Sequence, residues 1–424
     1  MKILHTADLH LGQIIYQNYD RSDEHQHFFD QLAQWCKDEQ PDALLVSGDV
    51  FDIQQPSATV KKTFTDYFVG LHQECPQMHI VIIAGNHDSA SRIQADNAIW
   101  QLANTHLIGT PPAINCLDTD DDWQDRYIIK IKKGYIVPLP YMPGERRQMI
   151  QSILDKVAED NTNGLPVVMM AHQAVTGVDP TGHNFEIGTL KTMDEEALGN
   201  GFDYLALGHI HKPQTLGCKD DNMKEDVSYK APVIRYSGSA LHVSCDEVYP
   251  HSVSMVEIDK HQGHVHICQL RIDELRHFYV LPHDGSSFTS SDEALDTMKQ
   301  FVSEGKRGYI RFRFDQTTNL PSNFSQIVYD ALQPYDDEWR YNPKMIWTGG
   351  DENRDEEKEQ LVFEVAELQQ MTDPMVFIER TKDQYPGLDL DDVRQAFEEV
   401  REEIRRMEEE KEEKSRKKSK ATES

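Results

Sequence analysis

Residues 80–89, with the sequence IVIIAGNHDS, constrain the fold of this chain more than any other stretch. Four branched apolar residues are followed by Ala-Gly and then directly by Asn86, His87 and Asp88. An apolar run that ends abruptly in glycine and polar residues is typical of a buried strand carrying functional side chains at its carboxyl end. Asn86 offers an amide oxygen to a metal ion, and His87 offers an imidazole to a metal ion or a proton.

Four other predicted strands end in the same way, each an apolar run followed closely by a carboxylate or an imidazole. They are residues 2–7 before Asp8 and His10, 43–47 before Asp49, 166–171 before His172, and 204–207 before His209 and His211. Helical spacing of apolar residues predicts helices over 25–39 and 60–71. This alternation predicts an α/β sheet with helices on its faces. We expect Asp8 and His10 to face the same side, because alternate residues of an extended strand do so.

The strand-end residues form the ligand set of a predicted two-metal site. They are Asp8, His10, Asp49, Asn86, His172, His209 and His211. Oxygen and imidazole ligands in this mixture suit divalent ions of borderline hardness, such as manganese, iron or zinc. Two such ions can clamp the attacking and leaving oxygens of a phosphoryl transfer, and we assign Asp49 as the shared ligand. His87 is then the candidate to stabilise developing charge or to protonate the leaving oxygen.

Each motif has a less specific interpretation when it is taken alone. A single D-x-H or G-D sequence is more often a turn than a metal site, and we interpret the neighbouring His5 as a packing residue. Core packing does not produce the complete ordered set D-x-H, G-D, G-N-H-D, H and G-H-x-H, so we prefer the catalytic interpretation for the set.

The rest of the chain divides into further predicted segments. Strands are predicted over 127–132, 135–139, 278–281, 308–314 and 344–347, and helices over 292–302 and 322–332. Residues 232–254 are interpreted as strand and turn. The predicted domains are residues 1–270 with the ligands, an α+β domain 271–348 without a ligand cluster, a charged linker 349–359, and an acidic helical region 360–424 with a basic tail.

Composition limits the environment of the protein. The formal net charge is -30, which opposes nonspecific binding to nucleic acid. The six cysteines contain no C-x-x-C pair, and no apolar run approaches the ~20 residues of a membrane helix. We therefore expect a cytoplasmic protein with reduced thiols and no membrane partner.

The ordered motifs resemble those of the calcineurin-like metallophosphoesterases. HTADLHLG, LLVSGDVFD, GNHDS, the isolated His172 and YLALGHIHKPQ closely resemble the SbcD-type nuclease subunits of bacterial SbcCD complexes. The resemblance is strong over residues 1–250 and looser beyond them. It implies a β-sandwich flanked by helices, followed by a DNA-capping domain and a helical tail that docks on an ATPase.

The resemblance also implies an activity and the roles of the site residues. One manganese ion would be held by Asp8, His10, Asp49 and His211, and the other by Asp49, Asn86, His172 and His209. Magnesium would be a weaker substitute, and His87 would be the catalytic histidine. The implied enzyme is a 3'-5' double-strand exonuclease and a single-strand and hairpin endonuclease. It would act with an SMC-like SbcC-type ATPase on DNA in repair, recombination and replication.

One motif departs from the pattern of archaeal and eukaryotic relatives. They carry a second catalytic histidine shortly after the G-D motif, where this chain has Val50, Phe51 and Asp52. Asp52 is the candidate to orient His87 instead, and Asp88 is a further candidate supporting residue. Protein phosphatases of this superfamily have G-D-x-x-D-R-G and G-N-H-E, which this chain lacks.

Two alternatives and two assembly hypotheses remain open. The alternatives are a metallophosphoesterase that acts on a small nucleotide and a scaffold that presents DNA ends. An ATPase partner would explain DNA cutting at a net charge of -30, and the apolar stripe from Val393 to Ile404 suits docking in a groove. The helix at 60–71 corresponds in place to the dimerisation helices of the family, so we also expect a homodimer.

Overall fold

The computed structural model describes residues 1–349, apart from 17–18, 113–122, 145, 182–191, 219–225, 245, 248, 304–306 and 336–337. All of these described residues belong to one compact unit, which comprises Met1–Phe185 and Leu190–Gly350. The predicted linker beyond Gly349 and the predicted docking region 360–424 lie outside the described residues.

Strands alternate with helices in the first part of the chain. The strands are β1 (Lys2–Thr6), β2 (Ile14–Ile15), β3 (Tyr19–Asp20), β4 (Ala43–Ser47), β5 (His79–Ile83), β6 (Thr105–Ile108), β7 (Ile129–Ile131), β8 (Gly134–Pro138), β9 (Val167–His172), β10 (Tyr204–Gly208), β11 (Gln214–Thr215), β12 (Asp226–Lys230), β13 (Val233–Tyr236), β14 (Ser252–Asp259), β15 (His264–Arg271), β16 (His277–Leu281), β17 (Gly308–Asp315), β18 (Trp339–Tyr341) and β19 (Ile346–Thr348). The α-helices are α1 (Ser22–Glu39), α2 (Ala58–Glu74), α3 (Ala90–Gln94), α4 (Asn97–Trp100), α5 (Trp123–Tyr127), α6 (Arg147–Asp160), α7 (Ser291–Val302) and α8 (Phe324–Leu332).

Two large sheets form the main body of the fold. The first has strand order β12-β15-β14-β1-β4-β5-β6, and the second has order β11-β13-β10-β9-β8-β7. Strands β1, β4, β5 and β6 run parallel to one another, and so do β8, β9, β10 and β13. Parallel neighbours place their carboxyl ends at the same edge of a sheet, which is where the predicted ligands follow.

The unbroken apolar sequence of β5 results from burial of the strand on both faces. Val81 and Ile83 belong to a core that they share with β9 and β10 of the second sheet. Ile80 and Ile82 belong to a second core, which contains the aromatic residues of α1 and α2. Side chains alternate between the two faces of a strand, so a strand covered on both sides must be apolar throughout. The result is the expected sandwich of sheets flanked by helices.

A smaller sheet follows the sandwich. It has order β16-β17-β18, with β19 also paired to β17, and its strands are parallel. Its core is separate from the other two and includes Phe312, Phe314 and Trp339. The helices α7 and α8 match the predicted helices within two residues. The domain boundary at residue 270 stays a prediction.

Several elements differ from the sequence predictions. Tyr127 was expected to begin a strand, but it ends α5, and the strand β7 begins at Ile129. Strand β12 was not predicted, because its residues are exposed or half-buried at the edge of the sheet and give no apolar run. Strand β18 has three residues and is too short to be recognised from periodicity.

The apolar stripe of α2 packs inside this chain. Phe64, Phe68 and Leu71 are buried, and Tyr67 stacks on Phe29 with ring centroids 3.8 Å apart. The stripe that suggested a homodimer is therefore occupied by the chain's own core.

Two expectations from composition can be compared with the described residues. None of their helices has the length and apolar character needed to cross a membrane. Cys36 and Cys75 are buried free thiols.

Candidate metal centre

The predicted ligands follow five parallel strands and lie along one edge of the sandwich. Asp8, His10, Asp49 and Asn86 follow strands of the first sheet, and the remaining ligands follow β9 and β10 of the second. Two contacts join the sheets at this edge. The His209 backbone N–H donates to the Asp8 carboxylate at 3.0 Å, and His172 Nδ1 donates to the Ser47 carbonyl at 2.8 Å.

One group of ligand atoms comes from Asp8, His10 and His211. One atom of each lies within 4.8 Å of the others, and all three side chains are buried. His211 Nδ1 lies 2.8 Å from Glu247 Oε1. Because a carboxylate accepts, Nδ1 carries the hydrogen and Nε2 keeps a lone pair for a metal ion.

A second group is formed by Asp8, Asp49 and His172. Asn86 Oδ1 joins it, at 3.0 Å from His172 Nε2 and 3.0 Å from His209 Nδ1. Asp8 is common to both groups, and Asp49 Oδ2 of the second group lies 3.2 Å from His172 Nε2 and 4.0 Å from His10 Nε2 of the first. The structure therefore brings all seven predicted ligands together, with Asp8 and Asp49 in the middle of the set.

The ring nitrogens of His10 show whether these side chains fit a metal ion. This side chain is buried, yet among the described residues neither of its ring nitrogens has a hydrogen-bond partner. Asp52 Oδ1 approaches Nδ1 to 3.3 Å without making a hydrogen bond. Buried polar atoms are nearly always satisfied, so this imidazole fits a role as metal ligand. The mixed oxygen and nitrogen donors around it suit divalent transition metals.

Four of the seven predicted ligand residues adopt a strained backbone conformation. Asp8, His10, Asp49 and His209 have φ angles of 51°, 46°, 48° and 90°. Side chains other than glycine seldom occupy this region, and each such residue costs about 1–3 kcal/mol. Asp8 and His10 do lie in one group of ligand atoms, but the extended strand that was expected to place them there is wrong: β1 ends at Thr6, and both residues have left-handed φ angles in the segment that follows.

Glycines in two of the motifs make room for the ligands. A Cβ on Gly48 would lie 2.1 Å from His172 Nδ1, and a Cβ on Gly85 would lie 2.1 Å from Asp49 Oδ1. These distances are far below van der Waals contact, so a side chain at either position would displace a predicted ligand. Position 48 of the G-D motif therefore has to be glycine, because His172 of the second sheet occupies the space that a side chain would need.

The buried charges perturb one another strongly. Burial raises the pKa of Asp8 to about 7, with the charge of Asp49 adding to the effect and His172 opposing it. Burial also raises the pKa of Asp49, but His172 and the other imidazoles outweigh it, so its net pKa lies below the usual value. For His172, burial lowers the pKa and Asp49 outweighs it, giving about 9. Buried carboxylates in this arrangement require nearby positive charge.

His87 lies at the exposed side of the centre. Its backbone N–H donates to Asp49 Oδ1 at 2.8 Å, and its Nδ1 donates to the Asp52 carbonyl oxygen at 3.0 Å. The contact with Asp52 therefore involves the backbone and not the carboxylate. Asp88 accepts hydrogen bonds from the backbone N–H groups of Val50, Phe51 and Gly85, and so joins the two motif loops.

Sequence reasoning missed the residues behind His211. Glu247, which holds its Nδ1, lies in a segment interpreted only as strand and turn, with buried His242 and His251 on either side in the sequence. These residues follow no strand end and have no periodic spacing. The only signal was their chemical type.

Comparisons with known proteins identify the family of this chain. The calcineurin-like phosphoesterase family matches residues 1–213. Relatives named as SbcD subunits of the nuclease SbcCD are 28% identical over 295 residues in Rhodobacter capsulatus, 29% over 273 in Escherichia coli K12 and 29% over 290 in Bacillus subtilis 168. These alignments cover 61%, 58% and 61% of this chain, and 66%, 62% and 66% of the relatives. The matched region thus spans slightly less than two thirds of their length.

These matches confirm the resemblance to SbcD-type proteins and the fold class of an α/β sandwich flanked by helices. Family membership also implies a dual site for divalent metal ions. The family model covers half of the chain, and its matched residues include every predicted ligand. The chain belongs to the calcineurin-like phosphoesterase family.

Proposed function

We propose that this protein is a manganese-dependent nuclease that hydrolyses phosphodiester bonds at DNA ends and hairpins. The observation that carries the proposal is the convergence of seven ligands from two sheets beside an exposed histidine. The names of the relatives, which are nuclease subunits, support DNA as the substrate. The alignments with these relatives cover 58–61% of the chain, which is more than the family model covers, so the likeness to nuclease subunits extends beyond the family match.

The proposed ligand sets share Asp49. Asp8, His10, Asp49 and His211 hold one ion, and Asp49, Asn86, His172 and His209 hold the other. When bound, two Mn2+ ions supply Lewis acidity to the phosphate and lower the pKa of an attacking water. Mg2+ is expected to be a weaker substitute, because Mg2+ prefers an all-oxygen shell and four of these ligands are imidazoles.

The role proposed for His87 follows from its orientation. The Asp52 carbonyl holds Nδ1, so Nε2 is left to meet the substrate. In its protonated form Nε2 can donate to a phosphate oxygen or to the leaving oxygen. Asp88 maintains this position indirectly, because it fixes both loops through three backbone N–H groups.

The charge distribution supports a partner that contributes to DNA binding. The net charge is -30, and two basic residues that could contact phosphate are paired within the chain: Lys62 with Asp66, and Lys212 with Asp179. Phosphate contacts supply much of the affinity for DNA, so a partner that adds positive charge would strengthen binding. We propose an SbcC-type ATPase partner in the cytoplasm, docked through residues 360–424, and a DNA-capping role for residues 271–348. Duplex binding by the chain alone as tight as by the complex at physiological salt would contradict the role of the partner.

A homodimer remains part of the proposal, through a surface other than the α2 stripe. Ile99 is 69% exposed and Leu102 is 88% exposed, in and just after α4. Contiguous exposed apolar patches mark interfaces, and these two residues lie three positions apart in the chain. Light scattering should give twice the chain mass, and Leu102→Glu should shift it to the monomer.

The first experiment is cleavage of end-labelled linear and hairpin duplexes by the purified chain, with and without the ATPase. Manganese, magnesium and a chelator are compared, and His87→Ala is assayed beside wild type. We expect manganese-dependent cleavage that falls by about 10²–10⁴-fold in the variant. The exposed His261 provides a control, because His261→Ala should cleave like the wild type.

Other outcomes would identify the alternatives. Hydrolysis of a small cyclic nucleotide with no DNA cleavage, even with the ATPase present, would indicate a nucleotide phosphodiesterase. DNA-end binding without hydrolysis of either substrate would indicate a scaffold.

A further inference from the structure

Three buried side chains form a cluster of nitrogen and oxygen atoms behind His211. They are His242, Glu247 and His251, and one ligand atom of each lies within 4.8 Å of the others. His251 Nε2 is 3.1 Å from His242 Nδ1 and 3.4 Å from Glu247 Oε2. The cluster contains none of the seven predicted ligands, and the proposed reaction does not use it.

In both His242 and His251, one ring nitrogen points away from the cluster and makes a hydrogen bond there. That hydrogen bond determines which nitrogen of the ring carries the proton. His251 Nδ1 lies 2.9 Å from the carbonyl oxygen of Ser239, which can only accept, and 3.1 Å from the Ser239 hydroxyl oxygen, which can accept as well. Nδ1 therefore carries the hydrogen, and Nε2 keeps a lone pair. His242 Nε2 lies 2.8 Å from a carboxylate oxygen of Glu274, so by the same reasoning His242 Nδ1 keeps a lone pair.

Two ring lone pairs and a carboxylate oxygen therefore face one another. Glu247 Oε2 accepts the Val243 backbone N–H at 3.1 Å, and an oxygen of this kind has capacity for a further cation. Neutral rings in these tautomers have no hydrogen to place between His242 and His251. Buried acceptors that converge without a donor are unfavourable, so the space between them calls for positive charge, as a metal ion or an added proton.

We propose that His242 Nδ1, His251 Nε2 and Glu247 Oε2 bind a third divalent metal ion, of the zinc class. Two imidazoles and one carboxylate are a known protein ligand set for zinc, with the fourth position open to water. Zinc bonds of about 2.0–2.1 Å in a tetrahedral arrangement separate the ligand atoms by roughly 3.3–3.4 Å. Two of the three separations in the cluster, 3.1 Å and 3.4 Å, are close to this value, and the third pair lies within 4.8 Å.

The position of the ion gives it a structural consequence. Glu247 holds His211 Nδ1 through Oε1 and faces the third site through Oε2. An ion on Oε2 fixes the carboxylate and so orients His211, as partners of metal-bound histidines do. The ring of His242 also packs on Phe278 of β16, with centroids 5.0 Å apart. The third ion would therefore stabilise the contact between the sandwich and the smaller sheet.

Metal counting tests this proposal independently of DNA cleavage. The full chain is stripped with a chelator, reloaded with Zn2+, separated from free ion and measured by mass spectrometry of the metal. We expect His242→Ala, His251→Ala and the double variant each to lose the same single ion per chain. His261→Ala should lose none. If the double variant held as many ions per chain as the wild type, the proposal would be overturned. The positive charge between His242 and His251 would then be a shared proton.

The same comparison in the background of His172→Ala separates this site from the proposed nuclease centre. The His172→Ala variant should hold fewer ions than the wild type. Adding His251→Ala to it should remove one further ion per chain. Crystals of the wild-type chain soaked in Zn2+ avoid any folding defect of the variants. We expect an anomalous difference peak within bonding distance of the three named atoms, and a map without that peak would overturn the third site.

Discussion

Several residues at the candidate centre have backbone conformations that depend on their neighbours in space. Asp8, His10 and Asp49 have left-handed φ angles, and glycines beside the ligands lack the side chains that would displace them. A strained residue persists only where the surrounding structure holds it. The local sequence is therefore adapted to contacts with residues distant in the chain.

Gly48→Ala tests this adaptation. The new methyl would overlap His172 Nδ1, and Gly48 has a φ of +89°, so we expect a loss of unfolding free energy of about 1–3 kcal/mol. Weaker Mn2+ binding should accompany it, because His172 must move. Urea unfolding and calorimetric titration with Mn2+ measure the two effects.

Gly70→Ala is the matched control. Gly70 lies within α2 with no atom within 4 Å of the added Cβ, so this change should stabilise the protein by roughly 0.5–1 kcal/mol. If both variants had the same stability, the overlap would not be what constrains Gly48.

His5 gives a prediction about pH. It is fully buried with Nδ1 2.9 Å from the Tyr204 hydroxyl, and burial together with Arg235 lowers its pKa to about 3. An unfolded histidine titrates near 6.5, so the unfolded chain binds this proton first and stability falls as the pH drops from about 6.5 towards 3. The contribution is roughly 1.4 kcal/mol per pH unit. In urea unfolding at pH 7 and 5.5, His5→Asn should show a shallower loss than wild type, whereas parallel slopes would contradict it.

At the scale of elements, the two motif loops after β4 and β5 act as one unit. The Asp88 carboxylate accepts three backbone N–H groups, from Val50, Phe51 and Gly85, at 2.9–3.0 Å. We expect Asp88→Asn to cost about 1–3 kcal/mol, because an amide has one accepting oxygen and would turn N–H groups towards N–H groups. Hydrogen exchange at Val50 and Phe51 should accelerate. The exposed Asp66 supplies the control, and Asp66→Asn should leave both stability and exchange unchanged.

The elements also reveal which sequence patterns are reliable. Strand β5 was predicted because both its faces are buried and its residues are therefore all apolar. Strand β12 was not predicted, because it lies at a sheet edge and alternates exposed with half-buried residues. The apolar stripe of α2 gave the right helix but could not identify what covers it. Periodicity indicates that a face is buried, and it does not name the partner surface.

At the scale of the whole molecule, a buried charge network joins α1 to the smaller sheet. Glu24 accepts from Arg21 Nε at 2.7 Å and from the Tyr309 hydroxyl at 2.6 Å, and Arg276 and Arg340 lie at 3.3 Å and 3.2 Å. Opposite charges can be buried together only when they are paired and hydrogen-bonded.

Glu24→Ala should therefore destabilise the fold strongly. Removing the carboxylate leaves several buried cations without it, and we expect a loss of about 3–5 kcal/mol. Thermal unfolding of wild type and variant measures the change. Glu74→Ala breaks only an exposed pair with Lys37 and should cost at most about 1 kcal/mol. A Glu24 variant as stable as the Glu74 variant would mean that this network does not hold the smaller sheet.

The sequence by itself determined the strands that precede the motifs, the order of the motifs and the chemical type of the seven predicted ligands. These features depend on local apolar patterns and on which residue follows each strand, so they can be recognised without coordinates. The tertiary structure decided that Asp8 and Asp49 lie in the middle of the predicted ligands, that a backbone carbonyl holds His87, and that Glu247 supports His211. Each of these is a distance between loops of different strands or sheets, and such distances are fixed only when the two sheets pack against each other.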